Sequence, residues 1–477
     1  MHMILLPQSV LLIIDTLKNA GHQCFAVGGS VRDSLIGKET KGWDFTTDAT
    51  PEQILSLFPD SFYDNQFGTV GVKIRKEKTV NRKQDEEKKQ ELEDIYEITT
   101  FRNEKGYTDH RHPDTIVWGK TLLEDLSRRD FTINAIAYDG KELIDPYDGQ
   151  KDITSHLIKT VGNPNQRFAE DALRMMRAVR FAAQLGFIIE SETAAAILDN
   201  AKLLTKIANE RIRDEFLKIL GSDHASDAMM VLKNVGLLPY ILPEFEIAFN
   251  TPQKSPKRHH LYDVGTHSVM ALKFCPSKDP IVRLATLIHD LGKPITFNKT
   301  DEGVLTFYNH EVAGTKLARE IVRRLRLSKA QADKVTTLVR WHQFTVDERQ
   351  TDSALRRFIR HVGIENLTDI LALRIGDRLG GGARETSWRL ELYKKRLEEV
   401  QKQPFSVSDL LINGHDVMQI YAIGPGRIIG QTLDALFTEV EAGTLANERE
   451  ALLKRLEELK EFSSLPIGAR EEELALQ

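Results

Sequence analysis

From about residue 165 onward the apolar residues of this chain keep helical spacing almost without a break, and that property limits where a sheet can form. The stretches RFAEDALRMMRAVRFAAQLGF (167–187), NERIRDEFLKILG (209–221) and DAMMVLKNVGLL (227–238) repeat apolar residues at three- and four-residue intervals. Any sheet must therefore come from the first third. There PQSVLLIIDTLKNAG (7–21) has helical spacing, with Pro7 near its start and Gly21 after its end. QCFAV (23–27) reads as a buried strand that stops at Gly28-Gly29, and GWDFTTD, TVGVKI and DIYEITTF are further strand candidates. Between the last two lies RKEKTVNRKQDEEKKQELED, almost wholly polar, which reads as a solvated hairpin extension or insert. TPQKSPKRHH (251–260) is a polar, proline-bearing linker. A His- and Asp-rich helical block follows to about residue 385, and NEREALLKRLEELKEF near the end is a charged amphipathic helix. No repeat of fixed period is present. The expected architecture is an α/β head on an all-helical body.

At 477 residues the chain predicts two to four domains, and 41% hydrophobic with 28% charged residues describes a globular protein with ample core. The formal charge of −5 means that a polyanion would have to be met by local basic patches. RRLRLSKAQADK and YKKRLEEVQK are such stretches, although isolated charge runs are more often plain solvated faces. Cys24 and Cys275 form no C-x-x-C pair, which argues against a disulfide scaffold or zinc ribbon. No apolar run is long enough to span a bilayer, and MHMILLPQSV lacks the features of a signal peptide. The expectation is a cytoplasmic protein.

Two patterns carry chemistry. In VGGSVRD (27–33) paired glycines follow a strand and precede a helix, so backbone can approach closely and amides can cup a triphosphate, with Arg32 and Asp33 in the first helical turn. Alone, such turns are common. Two acids at i and i+2 of a strand share a face and can hold two Mg²⁺ ions for nucleotidyl transfer. KGWDFTTDATP (41–51) supplies Asp44, but the position two before it is Gly42 and the position two after is Thr46. Asp48 reads as a turn residue at the strand end. Glu97 in YEITTF is a candidate third acid on a neighbouring strand, and taken singly an ordinary surface residue.

The second pattern is an ordered series: HLYDVGTHSVMAL, RLATLIHDLGKP, FYNHEVAG, LVRWHQF and LALRIGDRLG. It supplies His267, the adjacent pair His289-Asp290, His310, His342 and Asp377. Imidazole and carboxylate suit Mn, Fe, Ni, Mg or Zn. A single helix-face His is usually structural, but His-Asp at the end of an apolar helix is costly unless coordinated.

GGSVRD, WDFTTDATP, DLSRRDFTINAIAYD (125–139), AEDALRMMRAVRF (169–181) and ERIRDEF (210–216) together resemble the ordered motifs of bacterial class II tRNA nucleotidyltransferases. That family contains the CCA-adding enzymes and their poly(A) polymerase relatives. The resemblance implies an α+β fold: a nucleotidyltransferase head with a small mixed sheet (1–155), a helical neck for nucleotide recognition (156–250), an HD domain (251–385) and a tRNA-binding helical tail (386–477). The family's metal strand reads Asp-x-Asp. Asp44 matches the second carboxylate, and Gly42 stands in the place of the first. Gly28, Gly29, Arg32 and Asp33 match the phosphate turn. Arg129 and Asp130 would contact ribose and triphosphate, with Asn134 supporting the turn. Asp171 and Arg174, at i and i+3 on one helix face, would present acceptor and donor to a base edge, with Glu170 and Arg177 as structural supports. The loop NEKGYTDHRHPD (103–114) resembles the one that helps full CCA-adding enzymes switch from CTP to ATP.

The His-Asp series resembles the HD phosphohydrolase domain. Its minimal ligands carry over as His267, His289, Asp290 and Asp377, with His310 and His342 matching the extra histidines of the two-metal subtype and Lys293 neutralising a phosphate. In the tail, SVSDLLINGHDVMQI and IGPGRIIGQTL resemble the family's C-terminal segment. Gly424, Pro425, Gly426 and Arg427 would let backbone approach RNA phosphate, or form a plain helix–turn–helix.

The implied function is template-independent addition of CCA to the tRNA 3′ end from CTP and ATP. It implies Mg²⁺ in the head, a transition metal such as Ni, Mn or Fe in the HD domain, tRNA as partner, and neither a membrane nor an obligate protein partner. With Gly42 in place of an acid, transfer is expected to be impaired. The alternatives are a poly(A) polymerase relative, an HD-only phosphohydrolase, and a non-catalytic tRNA-binding protein.

Overall fold

Strand β1 (Cys24–Val27), buried along its whole length, lies inside the sheet of the head with a partner on each side. The other strands are β2 (Asp44–Thr47), β3 (Ser61–Asn65), β4 (Thr69–Arg75), β5 (Glu93–Thr100), β6 (Arg102–Lys105), β7 (Thr115–Trp118), β8 (Ala137–Tyr138) and β9 (Leu143–Ile144). Seven of them form one mixed sheet in the order β3-β4-β5-β2-β1-β8-β9, while β6 and β7 make a separate hairpin. The computed structural model describes residues 4, 6–40, 42–65, 68–75, 93–105, 115–119, 121–253, 262–344, 346–347, 349–384, 387–401 and 407–464. Most of the polar insert after β4, residues 106–114 of the loop 103–114, and most of the 251–260 linker lie outside them.

Strand β2 is shorter than GWDFTTD suggests. It pairs antiparallel with β1 only as far as Val27↔Asp44, because β1 ends where the chain turns at Gly28, with φ +78°. Gly42 therefore precedes the strand instead of sharing its face with Asp44. On its other side β2 runs parallel to β5 in the register Asp44↔Glu97. The turn after β2 closes at Thr50, which forms a capping box with Gln53 on the helix Pro51–Leu57.

The long helical pattern at 167–187 is two helices, Pro164–Glu170 and Leu173–Leu185, broken at Asp171. Asp171 is extended (φ −137°) and its Oδ1 accepts the Leu173 amide at 3.0 Å, so its side chain substitutes for a helical turn. The expected single helix face holding Asp171 and Arg174 is corrected accordingly. Beyond residue 165 the strands among the described residues are the two-residue pieces at 188–189, 298–299 and 305–306; the other regular elements are helices.

One apolar core runs from Ile4 through the sheet and neck into the body, and a second joins Leu410, Ile412, Val417, Leu433, Leu436, Phe437, Leu452 and Leu456. The helix Trp388–Val400 gives Tyr393, Leu397 and Val400 to the first core, so its packing belongs to the body although it lies past residue 385.

Candidate active sites

The first site is a cleft of about 730 Å³ over the ends of β1, β2 and β5. Gly28, Gly29, Arg32, Asp44, Glu97, Arg129, Asp130, Asn134, Asp171 and Arg174 all line it; Asp33 and Gly42 do not. Gly28 is the pivot. A Cβ there would stand 3.1 Å from an Arg129 guanidinium nitrogen and 3.9 Å from Asp44 Oδ2, so the turn, the basic residue and the acid meet at one point. Burial in the cleft raises the Asp44 carboxyl above its ordinary value against the opposing pull of Arg129. Asp33 binds Arg32 through Oδ1 at 2.7 Å, which aims Arg32 at Asn134 Oδ1, 2.6 Å away. Gly42 is exposed, and a Cβ on it would meet nothing within 4 Å. Among the described residues, every group of three or more potential metal ligands lies in the body, so the head offers Asp44 beside Glu97 and no third acid at that spacing.

Asp130 is committed internally. Arg177 donates to its Oδ2 at 2.7 and 2.5 Å, and Asn134 to its Oδ1 at 3.1 Å. Burial would raise this carboxyl, but Arg177 and Asn134 outweigh it and hold it at about 2. Arg174 is braced by Glu170 Oε2 at 2.5 Å and by the carbonyls of Arg128 and Arg167 at 3.1 and 3.2 Å. Arg211 donates to Asp171 Oδ2 at 3.1 Å. Lining residues Arg102, Arg128, Arg180 and Arg211 were given no site role on sequence grounds. Two of them lie in the quoted motifs MRAVRF and ERIRDEF, where arginine spacing was the available signal. The cleft sets eight arginines against four carboxylates, a surface built for a polyanion.

The second site is buried in the body. Helices Val264–Phe274 and Leu367–Gly380 pack backbone to backbone because Gly376 and Gly380 carry no side chain: a Cβ on either would stand 2.6 or 2.5 Å from Ala271 backbone atoms. That approach sets His267 Nε2 3.1 Å from Asp377 Oδ1. Asp290 is central. Its Oδ2 lies 3.3 Å from His267 Nε2 and 3.2 Å from His289 Nε2, while its Oδ1 lies 3.3 Å from His310 Nε2 and 3.6 Å from His342 Nε2. Two ligand groups result, His267–His289–Asp290–Asp377 and Asp290–His310–His342, sharing Asp290.

The histidines are oriented for a cation. Nδ1 of His289, His310 and His342 each bonds the carbonyl three residues earlier, at 2.7, 2.9 and 2.7 Å. A carbonyl only accepts, so Nδ1 carries the proton and a neutral ring turns a lone pair outward from Nε2. Nε2 of His310 and His342 are 3.2 Å apart. Burial lowers the His342 pKa and keeps that ring neutral. Burial also opposes charge on His289, yet Asp290 and Asp377 raise its pKa to about 10, so between these carboxylates the ring carries a proton on Nε2 unless another cation takes that place. His289 Nε2 is buried without hydrogen-bond geometry, the signature of a ligand atom left for a metal, while Asp290 Oδ2 is ion-paired with Lys293 at 2.6 Å. The donor set fits one or two divalent ions.

The head region 24–159 matches the family model of the poly A polymerase head domain. Residues 186–249 match the probable RNA and SrmB-binding site of polymerase A, and residues 297–456 match the putative tRNA nucleotidyltransferase domain 2. The CCA-adding enzyme of Lactobacillus helveticus is 32% identical over 449 residues, covering 94% of this chain and 96% of its own length. The chain belongs to the CCA-adding enzyme family. The family's enzyme from a Geobacillus species is 44% identical over 236 residues, 49% of this chain and 54% of its own length. The crystal structure of the Bacillus stearothermophilus CCA-adding enzyme in complex with CTP superposes with TM-score 0.68 at 28% identity, covering 95% of this chain and 97% of that one. The α+β class expected from the sequence stands, and among the described residues no helix is long and apolar enough to cross a membrane.

Proposed function

We propose that the head cleft binds CTP and ATP and belongs to a tRNA nucleotidyltransferase that extends the tRNA 3′ end with CCA. The observation that carries this is the convergence of Gly28, Arg129 and Asp44 on one point of an arginine-lined cleft. Mg²⁺ bound at Asp44 with Glu97 would supply charge neutralisation for the attacking 3′-oxygen and the leaving pyrophosphate. The chain's own residues would hold the triphosphate against Gly28-Gly29, Arg32 and Arg129, and offer Arg174 and Asp171 to the base edge. In the reaction the tRNA 3′-oxygen bonds to the α-phosphorus, the bond to pyrophosphate breaks, and the hydroxyl proton leaves to solvent.

With Gly42 where the family's first aspartate stands, we infer weak transfer by this chain. Losing a metal carboxylate costs on the order of 10³-fold in rate. The direct test is CCA addition to tRNA lacking its 3′ end, comparing this chain with Gly42→Asp.

A second activity is supported by the facing Nε2 atoms of His310 and His342 and by the buried His289 Nε2, which has no hydrogen-bond partner. We infer an HD-type phosphohydrolase in the body. Divalent Mn, Ni or Fe held by His267, His289, Asp290, His310, His342 and Asp377 would activate water for attack on phosphorus. Lys293, 2.6 Å from Asp290 and 2.6 Å from Gln253 Oε1, is fixed where it can neutralise a phosphate. Water oxygen bonds to phosphorus, the ester bond breaks, and the proton passes to the leaving oxygen. Ring opening of a 2′,3′-cyclic nucleotide to the nucleoside monophosphate with Mn²⁺ or Ni²⁺, abolished by His289→Ala, tests it.

A further inference from the structure

Arg374 forms a wall shared by two cavities. On one side is the metal-ligand cavity of about 450 Å³, where Arg374 donates to Asp377 Oδ2 at 3.2 Å. On the other is a cavity of about 370 Å³ lined by Phe344, Arg374, Arg378, Trp388 and Arg389, large enough for a small ligand. Trp388 opens the helix Trp388–Val400, where Ser387 caps the first turn, and its ring is 65% exposed. The Arg389 guanidinium lies 5.2 Å from that ring. On the far lip of the metal cavity Tyr308 is 74% exposed, held there by the left-handed turn at Asn309. Large aromatic rings at that exposure lose apolar burial, and here both flank the cavity of the His-Asp ligand cluster.

Guanidinium groups beside exposed aromatic planes are the chemistry of single-stranded nucleic acid: cations follow the backbone and bases stack on the rings. The cavity sets three arginines beside one open indole, so a ligand that carries both a phosphate and a stacking base fits it. We propose that the second cavity is a nucleotide subsite, and that the body centre acts on the terminal phosphate ester of a single-stranded polynucleotide. The terminal phosphate sits at Lys293 and the ligand cluster. The next nucleotide passes Arg374, its phosphate meets Arg378 and Arg389, and its base stacks on Trp388. Water adds across one P–O bond of the terminal ester, with oxygen to phosphorus and a proton to the leaving oxygen, and no co-reactant is required. The proposal deepens the hydrolase reading and rests on it.

The test uses the full chain with Mn²⁺ and compares cytidine 2′,3′-cyclic phosphate with a dicytidine carrying the same terminal cyclic phosphate. The dinucleotide is expected to have kcat/KM about 10-fold higher, chiefly through KM, the size of one stacking contact. Trp388→Ala collapses that ratio toward one, Trp388→Phe restores most of it, and Arg378→Gln lowers it. Equal kcat/KM for the two substrates in the unmodified chain would overturn the subsite while leaving the hydrolase reading intact. Failure to hydrolyse either substrate would overturn the hydrolase reading. In that event the subsite is scored by binding of a phosphorothioate dinucleotide, read as quenching of indole fluorescence in the unmodified chain minus that in Trp388→Phe. Quenching supports the subsite; its absence overturns it.

Discussion

Asp44 and Glu97 are paired neighbours on the parallel strands β2 and β5, so the sheet itself sets two carboxylates side by side at the mouth of the nucleotide cleft. The pairing depends on backbone register, and a one-residue slip would turn one acid away from the cleft. Under the proposed reading the two would form a partial metal clamp whose third acid would have to enter from the loop before β2, where Gly42 leaves open space.

Gly28 holds φ +78° and passes within side-chain distance of Arg129. Gly28→Ala is expected to weaken CTP binding about 10-fold, since a Cβ there strains the backbone by about 1–3 kcal/mol and crowds the guanidinium. Titration of CTP against the variant, with circular dichroism confirming its fold, checks this; unchanged affinity would remove Gly28 from the phosphate turn.

The Asp130–Arg177 pair gives a pH signature. The folded pKa of Asp130 lies below its ordinary 3.8, at about 2, so the carboxylate contributes stability above the unfolded value and loses it as pH falls through the folded one. The contribution is about 2 kcal/mol at neutral pH. Arg177→Met should destabilise the chain by about 3–5 kcal/mol at pH 7 by stranding a buried charge. Urea unfolding should show the gap between variant and parent narrowing between pH 4 and pH 2.

The body's ligand cluster is expected to make stability depend on metal. Loading Mn²⁺ to a hundredfold above its dissociation constant should stabilise the chain by about 2.7 kcal/mol, and a chelator should reverse this. His310→Ala should lose most of the effect, because the variant removes one of the two facing Nε2 atoms. Calorimetry with and without chelator reads both; a metal-independent midpoint would count against the site.

Much of this was legible in the sequence because the signals are local. A strand that stops at paired glycines, helical spacing after residue 165, and an apolar helix ending in His289-Asp290 each declare themselves within a dozen residues. What was not legible depends on partners far along the chain. Asp171 breaks its helix by capping Leu173, and Arg211, forty residues on, holds its other oxygen. Gly42 falls outside the strand because β1 turns away at Gly28. Asp130 has the pattern of a ligand-contacting acid, yet Arg177 and Asn134 occupy it. The approach of Gly376 and Gly380 to Ala271, which brings His267 to Asp377, is visible only once two helices are packed.

A nucleotidyltransferase site with one carboxylate fewer than the family's Asp-x-Asp strand should transfer slowly and recover when that acid is restored. Incorporation of labelled CTP and ATP into tRNA lacking its CCA end, with Mg²⁺, should be on the order of 10³-fold faster for Gly42→Asp than for the chain as it stands. Adding Asp44→Asn to Gly42→Asp should abolish the gain. Equal and robust addition by both forms would contradict the missing carboxylate, and no addition by either would contradict the nucleotidyltransferase site.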